Sequence, residues 1–267
     1  TLNTIYKKGG HDRQLISLLT QHAHSSSTLL NSLAMSEDDI PILKSIAAHP
    51  NTDANTLNRL EQRYPDMFDN ELAVHAETPP ELLEKLYQRG NCFIRSAVVT
   101  HIRCPQFLLD LAFNETDTTI LRHLAANPRL SPEKLAILAQ HDDVSVLRTL
   151  AGNPSLSKEL ANQMIHNSTN IVRRALASRT DLTDENLQQL ANDEDRWVRQ
   201  RVARHPQLDE LLLNKLAQDQ NDEVRRAVTR NPLTSIDILR RLSVDNSVWV
   251  RAGVAYQKNT PADGLGM

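Results

Sequence analysis

The chain is short of the residues that make turns, cross-links and aromatic cores. Seven glycines, four tyrosines, four phenylalanines and two tryptophans in 267 residues argue against sandwiches, barrels and dinucleotide folds, which need turn glycines at regular intervals. Two cysteines, Cys92 and Cys104, supply neither a disulfide framework nor the four thiolates of an all-cysteine zinc site or an ordinary iron–sulfur cluster. They read as reduced thiols of an intracellular protein. No stretch approaches the roughly 18 to 20 apolar residues of a membrane span, and the N-terminus lacks the apolar core of a signal peptide. The expected location is cytoplasmic, with no membrane partner. The chain starts at Thr1 rather than Met, which points to a processed or trimmed chain. An excess of one charge is missing too: 30 basic against 33 acidic residues removes any global case for binding nucleic acid or a membrane surface.

What is present is leucine, 39 residues of it, and a period. The segments Ile120–Pro128, Val146–Pro154, Val198–Pro206 and Val224–Pro232 share a V-R-x-A-V-A-x-N-P-like pattern. Taking the prolines as marks, positions 50, 76, 102, 128, 154, 180, 206, 232 and 258 stand 26 apart, and a further unit around Leu15 to Met35 lies one residue out of step. Eight before each mark stand Ile42, Phe68, Ile94, Ile120, Val146, Val172, Val198, Val224 and Val250. Four before it stand Ile46, Leu72, Val98, Leu124, Leu150, Leu176, Val202, Val228 and Val254, and three before it usually Ala. That spacing predicts a short amphipathic helix whose alanine flank admits a close neighbour. Leucines seven and ten after the mark, such as Leu57 and Leu60 or Leu213 and Leu216, predict a second helix.

The punctuation fits. Asn127-Pro128 or His205-Pro206 closes the first helix, because proline has no amide hydrogen and restricts the residue before it. Ser131, Ser157, Thr183 or Asp209 opens the second as an N-cap. In the third unit Leu108 and Leu111 come one place early, which predicts a one-residue deletion and a tightened turn. Units this short bury a face only by stacking. Nine or ten of them at ordinary helix spacing make a curved rod about 80 to 100 Å long.

The V-R-x-A-V-A-x-N-P segment followed by x-L-[ST]-x-E-x-L-x-x-L-A, as in Val224–Pro232 and Leu130–Ala139, resembles the leucine-rich repeat variant family, over roughly Leu15 to Lys258. The resemblance implies pairs of short helices, one α and one often 3₁₀, in a right-handed superhelix without strands. The cysteine-rich iron–sulfur segment of some relatives is absent. The longer unit here leaves room for both helices to be α. The fold class expected is all-α, a right-handed α-solenoid of nine to ten stacked two-helix repeats. Its organisation is a single elongated domain over 1–267, with a degenerate capping repeat over 1–41, a repeat array over 42–258 and a tail over 259–267.

Chemistry is not evident. His49, His75 and His205 occupy the column that elsewhere holds Asn127, Asn153 and Asn231, so they read as groups that cap backbone carbonyls. Acidic residues recur at helix starts, where the helix dipole explains them. No glycine-rich phosphate loop, nucleophile elbow or paired metal motif appears, so no catalytic activity, cofactor or metal is expected.

Arginine is the informative polar residue. Seven before the mark stand Arg173, Arg199, Arg225 and Arg251; the next position adds Arg174 and Arg226, and the far end of the helix Arg204 and Arg230. The column seven before shares a flank with the alanines, and those six and two before lie on the other flank. Two readings stand: a salt-bridge lattice between units with the neighbouring Asp and Glu turns, or a ladder for phosphates or acidic peptide. Trp197 and Trp249 occupy one column two units apart, beside arginines, the composition of a binding hot spot; packing on the next unit is the other reading. The function expected is a non-catalytic module binding a protein or extended peptide, with Trp197, Trp249 and the four arginines as anchors. Sequence-independent nucleic-acid binding by the same ladder is the alternative.

Overall fold

The computed structural model describes Leu2, Thr4 and residues 12–257; the expected tail over 259–267 lies outside the described residues. Those residues form nineteen helices and no strand, and every helix is α, the second of each repeat included. The chain divides into two compact units, 1–127 and 128–267.

In the first unit the helices are α1 Arg13–Gln21, α2 Ser27–Ser36, α3 Ile40–Ala48, α4 Ala54–Arg63, α5 Asp69–Val74, α6 Pro80–Arg89, α7 Cys92–Thr100, α8 Gln106–Ala112 and α9 Thr118–Ala125. In the second they are α10 Pro132–Leu138, α11 Val144–Ala151, α12 Lys158–Asn167, α13 Asn170–Leu176, α14 Asp184–Leu190, α15 Arg196–Ala203, α16 Glu210–Leu216, α17 Asp222–Thr229, α18 Ile236–Ser243 and α19 Val248–Ala255. Odd-numbered helices are the first of each repeat and even-numbered the second. Within each unit successive first helices pack side by side, α1 on α3 through α7 on α9 and α11 on α13 through α17 on α19. Each unit is thus an α-solenoid.

The columns explain the stacking. Every residue eight and four before the mark is buried, from Ile42 and Ile46 to Val250 and Val254. Ala47, Ala73, Ala125, Ala151, Ala177 and Ala203, three before, are fully buried, where one methyl per repeat lets the first helices approach. The N-caps form as expected: Asp53 accepts from the Thr56 amide at 2.8 Å and Asp209 from Leu212 at 2.7 Å.

The front unit is shifted by one residue, with Leu19 and Thr20 of α1 and Leu29, Leu30 and Leu33 of α2 in its core. The third unit, however, has no deletion. Leu109 and Ala112, seven and ten after the mark, are fully buried while Leu111 is 49% exposed. Its turn is the same as its neighbours': the Cys104 amide donates to the His101 carbonyl at 3.0 Å, as Thr78 does to His75 at 2.9 Å. The position six after the mark is also a core position, holding Leu82, Leu108, Leu212 and Ile238. Leu108 belongs there, and reading it one column later produced the apparent deletion. Cys104 occupies a buried column shared with Thr52, Thr78 and Thr234, which is a packing role.

A ladder of side chains ties each repeat to the one before it. The residue before each mark sends a nitrogen back to a main-chain carbonyl: His49 to His22 at 3.0 Å, His75 to His49 at 2.8 Å, His101 to His75 at 2.8 Å and Asn127 to Val99 at 2.6 Å. In the second unit His205 reaches the Arg179 carbonyl at 2.7 Å, and Asn231 reaches Ala203 and His205, both at 2.9 Å. The Nδ1 atoms of His49, His75, His101 and His205 accept from the amide two residues on. Nδ1 is therefore the unprotonated nitrogen and Nε2 carries the hydrogen. The asparagines make the same pair of bonds, with Asn231 Oδ1 accepting from Leu233 at 2.9 Å. A neutral imidazole and a carboxamide are equivalent here, which is why they interchange.

Candidate ligand-binding face

The helical wheel divides the arginines into two populations. Taking the buried position eight before the mark as 0° and advancing about 100° per residue, the position seven before falls between the two core directions. The columns nine, six, five and two before the mark fill the opposite, outward arc. A guanidinium seven before the mark therefore points toward its own repeat.

There, within one repeat rather than between units as the sequence suggested, it finds a carboxylate twenty residues on, at the end of the second helix. Arg173 pairs with Asp193 through Nε at 2.5 Å and Nη2 at 2.9 Å, Arg199 with Asp219 at 2.7 and 3.0 Å, and Arg225 with Asp245 at 2.7 and 2.9 Å. Each also donates Nη1 to a carbonyl of the preceding turn: Ser168 for Arg173, Asp193 for Arg199 and Asp219 for Arg225, at 2.7, 2.7 and 2.8 Å. The aspartates in turn accept the amide two residues on, as Asp219 does from Asn221 at 2.8 Å. The hydrogen-bonded aspartates raise the pKa of all three guanidiniums, and Arg225 lowers that of Asp245. Arg199 is only 7% exposed. Arg251 donates to the Asp245 carbonyl at 2.7 Å and to Asn246 at 3.1 Å, stays exposed, and makes no ion pair among the described residues.

The first unit builds the same pair in both orders. Arg95 meets Glu115 at 2.9 Å, in the order of the second unit. One repeat earlier the charges are exchanged: Asp69 stands seven before the mark, and Arg89, twenty residues on, reaches it at 3.1 Å through Nε while gripping buried Glu61 at 2.6 and 2.8 Å. These carboxylates raise the Arg89 pKa. Two register positions that accept the charges either way round are held by the bond between them.

The outward face of the second unit differs. Trp197 is 38% and Trp249 59% exposed. Neither is folded away, and arginines brace both: Arg174 and Arg196 lie 5.5 and 4.6 Å from the Trp197 ring centroid, and Arg226 5.6 Å from that of Trp249. Exposed Tyr256 caps the C-terminal end of α19, which carries Trp249. Glu223 stands in the tryptophan column between them, receiving Gln200 at 3.3 Å and Arg226 at 3.4 Å. Arg148, Arg174, Arg201, Arg204 and Arg230 are exposed on this arc and have no carboxylate partner among the described residues. Burial, then the charges of Arg230 and Arg201, press the Arg204 guanidinium below its ordinary pKa.

The six candidate anchors therefore divide. Trp197 and Trp249 share the outward face, Arg173, Arg199 and Arg225 are engaged on the inner flank, and Arg251 is exposed on that flank. Arg148, Arg201 and Tyr256 join the face without having been singled out from the sequence. The first two are legible once the columns six and five before the mark are read across all units. Among the described residues no group of three or more His, Cys, Asp or Glu converges to hold a metal ion. No described helix is long and apolar enough to cross a membrane.

No family model matches the chain. No curated protein matches it. It is similar to a solved structure, a leucine-rich repeat variant with a novel repetitive protein structural motif, at TM-score 0.57 and 21% identity, covering 83% of this chain and 88% of the other. A designed armadillo repeat protein aligns over 96% of this chain and 95% of its own at 11% identity, but with a TM-score of 0.17, too low to bear on fold. The first likeness gives the fold: the chain is built as a leucine-rich repeat variant is built.

Proposed function

We propose that this repeat stack is a non-catalytic interaction module that holds an extended segment of another protein along the outward face of its first helices. One observation carries the reading: two exposed tryptophans, two repeats apart in one column, each braced by arginine. Tryptophan and arginine dominate the binding energy of protein interfaces, and the core columns place no demand on this position, which holds Ser145, Ile171 and Glu223 in other repeats. Stacked units present such positions at a regular step, suited to a partner lying along the stack.

Selection from a random-peptide library on the immobilised chain tests the proposal. Recovered peptides should lose binding to a Trp197→Ala/Trp249→Ala variant and keep it with Leu211→Ala, an exposed change on a second helix. Peptides indifferent to both tryptophans would sink the reading, provided the variant unfolds at the parent temperature.

A further inference from the structure

The outward columns of the second unit are chemically one-sided. Across α11, α13, α15, α17 and α19 the positions nine, six, five and two before the mark hold Arg148, Arg174, Arg201, Arg204, Arg226 and Arg230, one carboxylate, Glu223, and no lysine or aspartate. The remaining acidic residues of these repeats lie in turns and second helices or are paired with the inner arginines, apart from Asp222 at the start of α17, which accepts the Ser247 hydroxyl at 2.8 Å. Charge is thus segregated by face although the chain as a whole carries −3. Gathering like charges costs stability unless something opposes them, and the charges of Arg230 and Arg201 add to burial in lowering the Arg204 pKa.

We propose that the segment held by this face is an acidic peptide, its carboxylates paired with Arg201, Arg204 and Arg230 and its apolar side chains set on Trp197 and Trp249. The inference rests on the interaction-module reading and adds the chemistry of the partner. Charge complementarity commits it to an anionic occupant. Glu223 favours a peptide over a nucleic acid: it sits in the tryptophan column between the two rings, where a strand charged at every phosphate meets it and a peptide places a neutral residue. Two repeat steps separate the tryptophans by about 20 Å at the usual spacing of packed helices. An extended peptide of about 12 residues, near 40 Å long, spans both.

The two tryptophans are the only ones in the chain, so their fluorescence reports binding directly. The probe is a peptide of about 12 residues repeating Asp-Glu-Pro-Leu, with the Asn-Gln-Pro-Leu repeat and an oligothymidylate of about 15 nucleotides as comparisons. The acidic peptide should shift the emission and bind at least about tenfold more tightly than its neutral isostere. A triple variant, Arg201→Gln, Arg204→Gln and Arg230→Gln, should lose about tenfold or more of that affinity at an unchanged unfolding temperature. Equal binding of the two peptides, an unaffected triple variant, or tighter binding of the oligonucleotide would overturn the proposal. Library-selected peptides that need both tryptophans yet show no excess of Asp and Glu would overturn it as well, and leave the interaction face standing. Selected peptides indifferent to the tryptophans would remove both readings.

Discussion

The outward columns of the two units carry different chemistry on the same scaffold. In the first unit Met67, Val74 and Phe93 project from α5, α7 and the turns flanking them, all exposed. In the second the corresponding columns carry six arginines, with Trp197 and Trp249. Yet the inward columns scarcely differ: both units bury apolar residues eight and four before the mark, and both link the position seven before to the one twenty residues on. Residues that face the stack are fixed by packing and by paired charge. Those that face away are free to differ, so a partner is read from them.

The largest effect expected comes from the inward columns. Leu72→Ala in the first unit or Leu176→Ala in the second removes a fully buried side chain and should cost about 2 to 5 kcal/mol. Because each repeat touches only its neighbours, hydrogen exchange should quicken mainly in the unit that carries the change. Equal loss of protection in both would break the division drawn here.

Next come the paired charges. Arg199→Ala strands Asp219 with most of its surface buried, and should cost about 3 kcal/mol by denaturant unfolding. Exchanging both charges, Arg199→Asp with Asp219→Arg, reproduces the order of Asp69 and Arg89 and should recover a substantial part of that loss. A double exchange no better than the single change would mean that the carbonyl contacts of Arg199, not its ion pair, hold this position.

A smaller, pH-dependent effect belongs to His101. Burial, with the nearby charges of Arg103 and His75, holds its pKa below the ordinary value, against the favourable bond to the His75 carbonyl. The folded chain therefore binds fewer protons there than the unfolded chain. The stability contributed is present above an ordinary histidine pKa of about 6.5 and is lost as pH falls through that value toward the lower folded one. His101→Asn, which installs the residue found at Asn127 and Asn231, should flatten the acid limb of the stability profile by at most about 1.4 kcal/mol per pH unit. An unchanged slope would assign the acid sensitivity elsewhere.

The smallest effect marks the outward face. Arg204→Gln relieves like charge and should leave stability within about 0.5 kcal/mol of the parent, on the favourable side. A loss comparable to that of Arg199→Ala would show that Arg204 too is structural.

Most of the architecture was legible because the core columns repeat without exception, and a column seen nine times needs no neighbour to interpret it. The false deletion arose where that redundancy failed: Leu108, Leu109 and Leu111 offer two apolar pairs with the same spacing, and only burial separates them. The arginine ladder was half legible. Its angle beside the alanines was readable, but its partner is a carboxylate at the end of the other helix, and pairing across a helical hairpin leaves no local pattern. Asp69 and Arg89 held the missing clue, since an exchanged pair at the same two positions points to a bond. The outward face was hidden differently, because Arg148 and Arg201 stand in columns that hold something else in most repeats.

The histidine and asparagine ladder has a direction. Every rung leaves the residue before a mark and lands on a carbonyl of the preceding repeat, so in this ladder each repeat takes its acceptor from the one made before it. During synthesis from the N-terminus, a repeat of either unit meets its acceptor already in place as it emerges, and can dock at once. Shortening a unit should be asymmetric for the same reason. Removing its last repeat exposes a free carbonyl, which water satisfies. Removing its first uncovers instead a side-chain donor and the apolar face of the repeat that followed it.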